Sequence, residues 1–188
     1  MPRGKPLSTQ IVLDKACEMA RRDGIESVTY NGLARELGIR PQSMYRYVPD
    51  VRTLRASMLR SFLNGLVDTI DAATRGLAPA DALRAFAVTM YDECHAHPCY
   101  YEAFDLMHLY GLIGEMTPVL TRMVGLVRRP IEQVKASPEE QDRCTQLVMA
   151  VILGYAQMAK TEFIVESLAD EREAYVRSIE ALIGSLMA

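Results

Sequence analysis

Between Arg40 and Tyr47 the chain reads RPQSMYRY, a run in which most side chains suit contacts to DNA. Arg40 and Arg46 offer guanidinium forks for guanine or phosphate, Gln42 an amide that matches adenine, and Ser43, Tyr45 and Tyr47 hydroxyls for backbone oxygens. Catalytic chemistry has no comparable signature. The sequence holds no glycine-rich phosphate loop after a strand, no nucleophile elbow and no HExxH pair. Asp92 with Glu93, and Glu139 with Glu140, are sequence neighbours, so on helices their side chains diverge and face water instead of converging as acid and base. The run Cys94, His95, Ala96, His97, Pro98, Cys99 gathers four ligand-type side chains within six residues. Successive helical positions point apart, however, and the spacing matches no common zinc pattern. The residues thus argue against an enzyme, and neither a metal nor another cofactor is expected. A metal-responsive reading of Cys94 to Cys99 stands as an alternative.

The elements that must position the Arg40–Tyr47 run are legible on either side of it. Thr29 can cap a helix of about two turns in which Leu33, Ala34 and Leu37 face inward, and Gly38 ends that helix at a sharp turn. Pro41 fits the opening turn of a second helix, where its missing N–H has no partner to lose, while Met44 and Val48 point that helix toward the core. Two short helices around a glycine make a helix-turn-helix the leading reading. A preceding helix from about Thr9 to Asp23, with Val12, Ala16, Met19 and Ala20 inward and Gly24 as its stop, would brace the pair. Asp50 can cap a fourth helix carrying Leu54, Met58, Leu59, Phe62, Leu66 and Ile70 up to the Arg75–Gly76 break, which would act as a lever between the reading unit and the rest of the chain.

Helical periodicity continues beyond this point, with no convincing alternating strand. Helices are expected over Pro79 to Ala96, Pro98 to about Leu109, Thr117 to Lys135, Pro138 to Ser167 and Leu168 to Met187, with Pro130 kinking or interrupting the third of these. The fold class is all-α with about nine helices. It divides into an N-terminal three-helix helix-turn-helix domain, residues 1–54, and a C-terminal helical domain, residues 55–188. Met90, Cys94, Tyr101, Phe104, Met107, Met123, Met149, Tyr155 and Phe163 supply large, adaptable groups for an apolar or aromatic effector, with His108 and Gln157 as polar anchors. The same stripes at helical spacing also suit plain core.

Charge divides the chain in the same sense. Residues 1–60 hold 11 Lys and Arg against 6 Asp and Glu, whereas residues 61–188 hold 10 against 18, so a net charge of −3 conceals a head of +5 and a body of −8. A basic head attracts phosphates and an acidic body is repelled by them, which orients the head toward a duplex. Arg3, Gly4 and Lys5 would add a short basic arm or merely a solubilising end. A hydrophobic content of 49% excludes a disordered chain. No run of 18 residues is free of charge and the start lacks an apolar segment, so neither membrane insertion nor export is expected and the location should be cytoplasmic. Cys17, Cys94, Cys99 and Cys144 form no repeating framework and suit small buried apolar groups in a reducing compartment.

The segment from Ser8 to Leu63 resembles the DNA-binding domain of TetR-family transcriptional regulators. The resemblance rests on Asp23–Gly24, Val28–Thr29, Leu33–Ala34, Leu37–Gly38–Ile39, Met44–Tyr45, Tyr47 and Leu54. It implies a ligand-responsive regulator, most often a repressor, that binds a double-stranded inverted-repeat operator as a homodimer and responds to a small-molecule effector, with residues 1–54 as the DNA-binding domain and residues 55–188 as the effector-binding and dimerisation domain. Phosphate contacts then fall to Thr29, Tyr45, Tyr47 and Arg46, and base reading to Asn31, Arg40, Pro41, Gln42 and Ser43. Val51 stands where members often carry a phosphate-binding lysine, with Arg52 as a substitute, and Arg40–Pro41 replaces a small polar pair. The last two helices would pair with their copies through Val151, Gly154, Met158, Tyr175, Ile179, Leu182 and Leu186. A helical scaffold protein without operator specificity is the alternative outside this class.

Overall fold

The computed structural model describes residues 6–160 and 171–187. The arm Arg3, Gly4 and Lys5, and the effector candidate Phe163, lie outside the described residues, as do parts of the two last expected helices.

Ser8 starts α1 (Thr9–Asp23): its backbone is extended and its hydroxyl oxygen accepts a hydrogen bond from the Ile11 N–H at 3.3 Å. Val12, Ala16, Met19 and Ala20 recur at helical spacing and all are buried. Gly24 follows, and a 3-10 turn, Ile25–Ser27, buries Ile25. Thr29 caps α2 (Tyr30–Glu36) by accepting the Gly32 N–H at 3.1 Å. At the far end Gly38 takes a φ of 66°, a left-handed conformation that costs glycine little. That turn lets the Gly38 N–H reach Arg35 O at 3.2 Å and the Ile39 N–H reach Ala34 O at 2.9 Å, which satisfies two of the carbonyls a helix end leaves open. The next element, Pro41–Arg46, is wound as a 3-10 helix, tighter than the α-helical Met44–Val48 spacing suggests. Met44 and Val48 are both buried.

Asp50 caps α3 (Val51–Thr74), accepting the Thr53 N–H at 2.7 Å and the Thr53 hydroxyl at 3.1 Å. These bonds hold its carboxyl below the usual carboxylate range. Leu54, Met58, Leu59, Phe62, Leu66 and Ile70 are buried along the helix. There follow α4 (Pro79–Ala96), α5 (Cys99–Leu109), α6 (Ile113–Glu132), α7 (Pro138–Lys160) and α8 (Glu171–Met187), and no strand occurs among the described residues. The fold is all-α. The expected start of the Thr117–Lys135 helix and the expected effect of Pro130 both change. Pro118 lies inside α6, which begins at Ile113 and not at Thr117, because the break falls earlier, after Tyr110. Pro130 sits two residues from the end of α6, so the helix continues through it and closes with it.

By contact the chain forms two compact units: Met1–Gly65 with Ala96–Thr117, and Leu66–His95 with Pro118–Ala188. Compactness therefore divides the molecule differently from a single cut in the sequence. α5 clusters with the helix-turn-helix because Glu102 accepts the Ile25 N–H at 2.7 Å and the Tyr110 hydroxyl donates to Glu26 at 3.0 Å. Within the second unit, Tyr175 of α8 donates to Ala87 O at 2.9 Å, and Arg172 clasps Asp92 with bonds of 2.7 and 2.8 Å.

Candidate nucleic-acid interface

Three residues per turn align every third side chain of a 3-10 helix. Arg40, Ser43 and Arg46 therefore share one column, Gln42 and Tyr45 a second, and Met44 and Tyr47 the inward one. Six residues wound this way span roughly 12 Å. Arg40, Pro41, Gln42, Tyr45 and Arg46 are exposed, Ser43 and Tyr47 half-buried. Tyr45 is 62% exposed, yet its ring is not loose: it meets the edge of Tyr30 with centroids 5.3 Å apart. Tyr30 is itself anchored, donating its phenol to Val48 O at 2.8 Å, and burial pushes that phenol up to about 12. The Thr9 hydroxyl bonds Tyr47 O at 3.2 Å. The exposed face is thus pinned from behind by α1 and α2.

The cations of this unit fall into two groups. Lys15, Arg22, Arg52 and Arg60 each have a carboxylate within 4.0 Å, and Arg21 and Arg55 lie over the rings of Phe62 and Tyr110 at 5.3 and 4.4 Å. Arg35, Arg40 and Arg46 have no such partner among the described residues. Unpaired guanidiniums on and beside the 3-10 helix make a local positive surface that is free to exchange small counterions for phosphates.

The remaining candidates separate clearly. Thr29 is exposed while its hydroxyl oxygen caps α2, and Asn31 is exposed on the same first turn. Arg52 points elsewhere: it donates to Tyr110 O at 2.8 Å and Gly111 O at 3.4 Å and pairs with Glu115 at 3.1 Å, so its charge is spent on the turn between α5 and α6. Tyr30 and Arg35 were not singled out by sequence. Their only signal was position, Tyr30 next to the cap and Arg35 in the last turn of α2.

Of the effector candidates, Tyr101, Phe104, Met107 and His108 belong to the first unit, and Met90, Cys94, Met123, Met149, Tyr155 and Gln157 to the second. Met90, Cys94, Met107 and Met123 are buried, and His108 and Gln157 exposed. Clefts among the described residues include one of about 400 Å³ beside Gly24 and Glu102 and one of about 360 Å³ beside Thr74 and Arg129, and none of these candidates lines either of the two. Among the expected partner-facing residues, Gly154 and Met158 are exposed and Val151 and Leu182 half-buried. Tyr175 and Ile179 are each 1% exposed within the single chain. The Tyr175 ring stacks on Tyr91 at 4.6 Å and meets Tyr155 edge-on at 5.1 Å, so it fills the core of its own unit. Leu186 is likewise buried. Cys94 and Cys99 are buried, His95 stacks on Tyr91, and His97 meets Tyr100 edge-on; among the described residues no three His, Cys, Asp or Glu side chains are grouped to hold a metal.

The braced helix-turn-helix thus carries guanidiniums without a carboxylate partner among the described residues, on a face whose charge suits a phosphate backbone. No protein-family model matches this chain. The chain is 30% identical over 115 residues to an uncharacterised HTH-type transcriptional regulator of Mycobacterium tuberculosis, covering 61% of this chain and 53% of that relative, about half its length. It is 24% identical over 182 residues to YobS, an uncharacterised HTH-type transcriptional regulator of Bacillus subtilis, covering 96% of this chain and 93% of YobS. A TetR regulator of known structure from Streptomyces coelicolor superposes with a TM-score of 0.73 at 18% identity, covering 97% of this chain and 98% of that one. Mycobacterium smegmatis BioQ gives 0.70 at 19% identity over 96% and 98% of the two chains, and a structure of BioQ with its double-stranded DNA operator gives 0.68 at 18% over 97% and 99%. RolR in complex with resorcinol gives 0.63 at 18% identity over 94% and 87%. The chain has the fold of TetR-family transcriptional regulators. Among the described residues no helix is long and apolar enough to cross a membrane.

Proposed function

We propose that this protein is a ligand-responsive transcriptional regulator of the TetR type: a homodimeric repressor that holds an inverted-repeat operator and is released by a small apolar or aromatic effector. One observation carries the reading. In a unit whose other described lysine and arginine side chains are mostly paired or stacked, Arg40 and Arg46 stay unpaired beside exposed Gln42 and Tyr45 on one short helix. The likeness to BioQ with its operator supports the DNA partner, and the likeness to RolR with resorcinol supports a small-molecule one.

In this reading residues 1–54 read DNA and residues 55–188 bind effector and partner. Thr29, Tyr45, Tyr47 and Arg46 take phosphates; Asn31, Arg40, Pro41, Gln42 and Ser43 face base edges. Arg35 joins the phosphate set, and Arg52 stays with its carbonyls. Six residues of 3-10 helix touch too few bases for strong specificity, and two-fold pairing doubles the site. Pairing runs along α7, where Leu147, Leu153, Gly154 and Met158 are exposed and Val151 half-buried. Met90, Cys94, Met123, Met149 and Tyr155 remain the adaptable groups offered to an effector. The protein works in the cytoplasm and has no catalytic role. To release DNA a hundredfold, an effector must favour the released arrangement by about 2.7 kcal/mol, since affinity shared equally by both arrangements shifts nothing.

Selection of bound fragments from genomic DNA by the purified protein tests the reading. It predicts enrichment of a dyad-symmetric site, lost on replacing Gln42 and Tyr45 together by alanine. Binding that discriminates no fragment from random competitor removes the regulator and leaves a helical scaffold.

A further inference from the structure

The second unit is acidic, and nearly all its positive charge is neutralised in place. Seven of its arginines, Arg75 and Arg128 among them, lie within 4.0 Å of a carboxylate. Arg129 is the exception among the described arginines of that unit: no carboxylate reaches it. Its position is also distinctive. Arg129 lines the cleft of about 360 Å³ enclosed by the last turn of α3, the turn into α4, the first residues of α4 and the last turns of α6. Volumes of this order hold small organic ligands.

The lining divides into an apolar and a polar part. Leu126, Ala82, Pro130 and Leu77 give apolar surface, the first three buried and Leu77 45% exposed at the mouth. Asp71 and Arg75 bond each other at 2.7 Å and cancel, leaving the cleft one net positive charge on Arg129. The Gln133 side-chain amide donates to Arg129 O at 3.3 Å, and the Thr74 hydroxyl donates to Ile70 O at 2.9 Å, so both polar neighbours are already oriented. A guanidinium presents a planar fork that matches a carboxylate with two parallel bonds. Next to Leu126 and Ala82, that fork selects a ligand with an anionic head and a short apolar body.

We propose that this cleft binds a small organic monocarboxylate, its carboxylate on the unpaired Arg129 and its aryl or short alkyl part against Leu126, Ala82 and Leu77. The site shares none of the residues offered above to an effector and concerns binding alone, so it stands whether or not the other unit reads DNA. An arginine near a helix C-terminus also complements the helix dipole, a role that needs no ligand. Fluorine NMR of the full chain titrated with 4-fluorobenzoate separates the two, with 4-fluorobenzamide as the uncharged probe of the same shape. Binding of the benzoate is expected, with affinity at least tenfold weaker for the benzamide. Arg129→Gln and Leu77→Asp, both at exposed positions, should each weaken benzoate binding at least tenfold, the second by placing a competing carboxylate at the mouth. Arg143→Gln, outside the cleft, should leave it unchanged. Absence of benzoate binding to the unaltered chain, or equal binding by the Arg129→Gln variant, overturns the proposal.

Discussion

Glu102 accepts a hydrogen bond from the backbone N–H of Ile25 at 2.7 Å, across 77 residues of sequence. It fastens α5 to the turn that follows α1. Gly24 makes room for the bond: its φ of 87° and ψ of 155° fall where L side chains rarely go, and a Cβ there would meet Glu102 Oε1 at 3.3 Å. Glu102→Ala should cost about 1.5–3 kcal/mol of unfolding free energy, as for loss of a charged acceptor, and Gly24→Ala about 1–3 kcal/mol from backbone strain. Urea unfolding monitored by circular dichroism measures both. Midpoints equal to the unaltered protein in both variants would mean that the tie contributes nothing.

That relationship also marks where sequence reasoning stops. Thr29 and Asp50 were legible as caps because capping acts over three residues, and Gly38 because only a local turn decides its conformation. The inward stripes of α1 and α3 follow from periodicity alone. Glu102 carried no signal, since nothing near it in the chain records that an N–H 77 residues away lacks a partner. Tyr175 and Ile179 meet a related limit: an apolar stripe does not say whether it faces its own chain or a second copy, and both are buried within the single chain. Arg52 had the right charge at a plausible position, and only the carbonyls of Tyr110 and Gly111 reveal where it is used.

Tyr30 sets an alkaline limit on the head. Its phenol donates to Val48 O, and burial raises it to about 12, above the ordinary tyrosine value of about 10. A group raised by folding contributes stability that is whole below pH of about 10 and is lost as pH climbs toward 12. Tyr30→Phe should cost about 1 kcal/mol at neutral pH for the missing bond. The gap between the two proteins should then narrow in thermal melts taken at rising alkaline pH. A gap that stays constant across that range would contradict the assignment.

Arg46 and Gln42 should fail differently on DNA. Arg46→Ala removes a phosphate partner, so affinity falls alike on operator and random duplex, and the slope of log affinity against log salt shrinks by about 0.9 for each phosphate left without its cation. Gln42→Ala removes a base partner, so about 1–3 kcal/mol is lost on the operator, with little change on random duplex or in salt slope. Fluorescence anisotropy over a salt series reads both quantities. Equal behaviour of the two variants would place neither residue in its role.

Tyr175 and Met158 separate core from partner surface. Tyr175 is 1% exposed, with its hydroxyl on Ala87 O and its ring between Tyr91 and Tyr155. Met158 is 38% exposed on α7, about one helical turn beyond Gly154. Tyr175→Phe should therefore lower the melting temperature by an amount matching about 1 kcal/mol and leave the state of association untouched. Met158→Glu should leave the fold of the chain intact but place a charge where an apolar face has to be buried against its copy, a cost large enough to dissociate the pair. Sedimentation velocity at a fixed protein concentration distinguishes the two effects. A Met158→Glu protein that still sediments as a dimer would remove α7 from the interface. A dimer broken instead by Tyr175→Phe would mean that this ring leaves its core position when two chains associate.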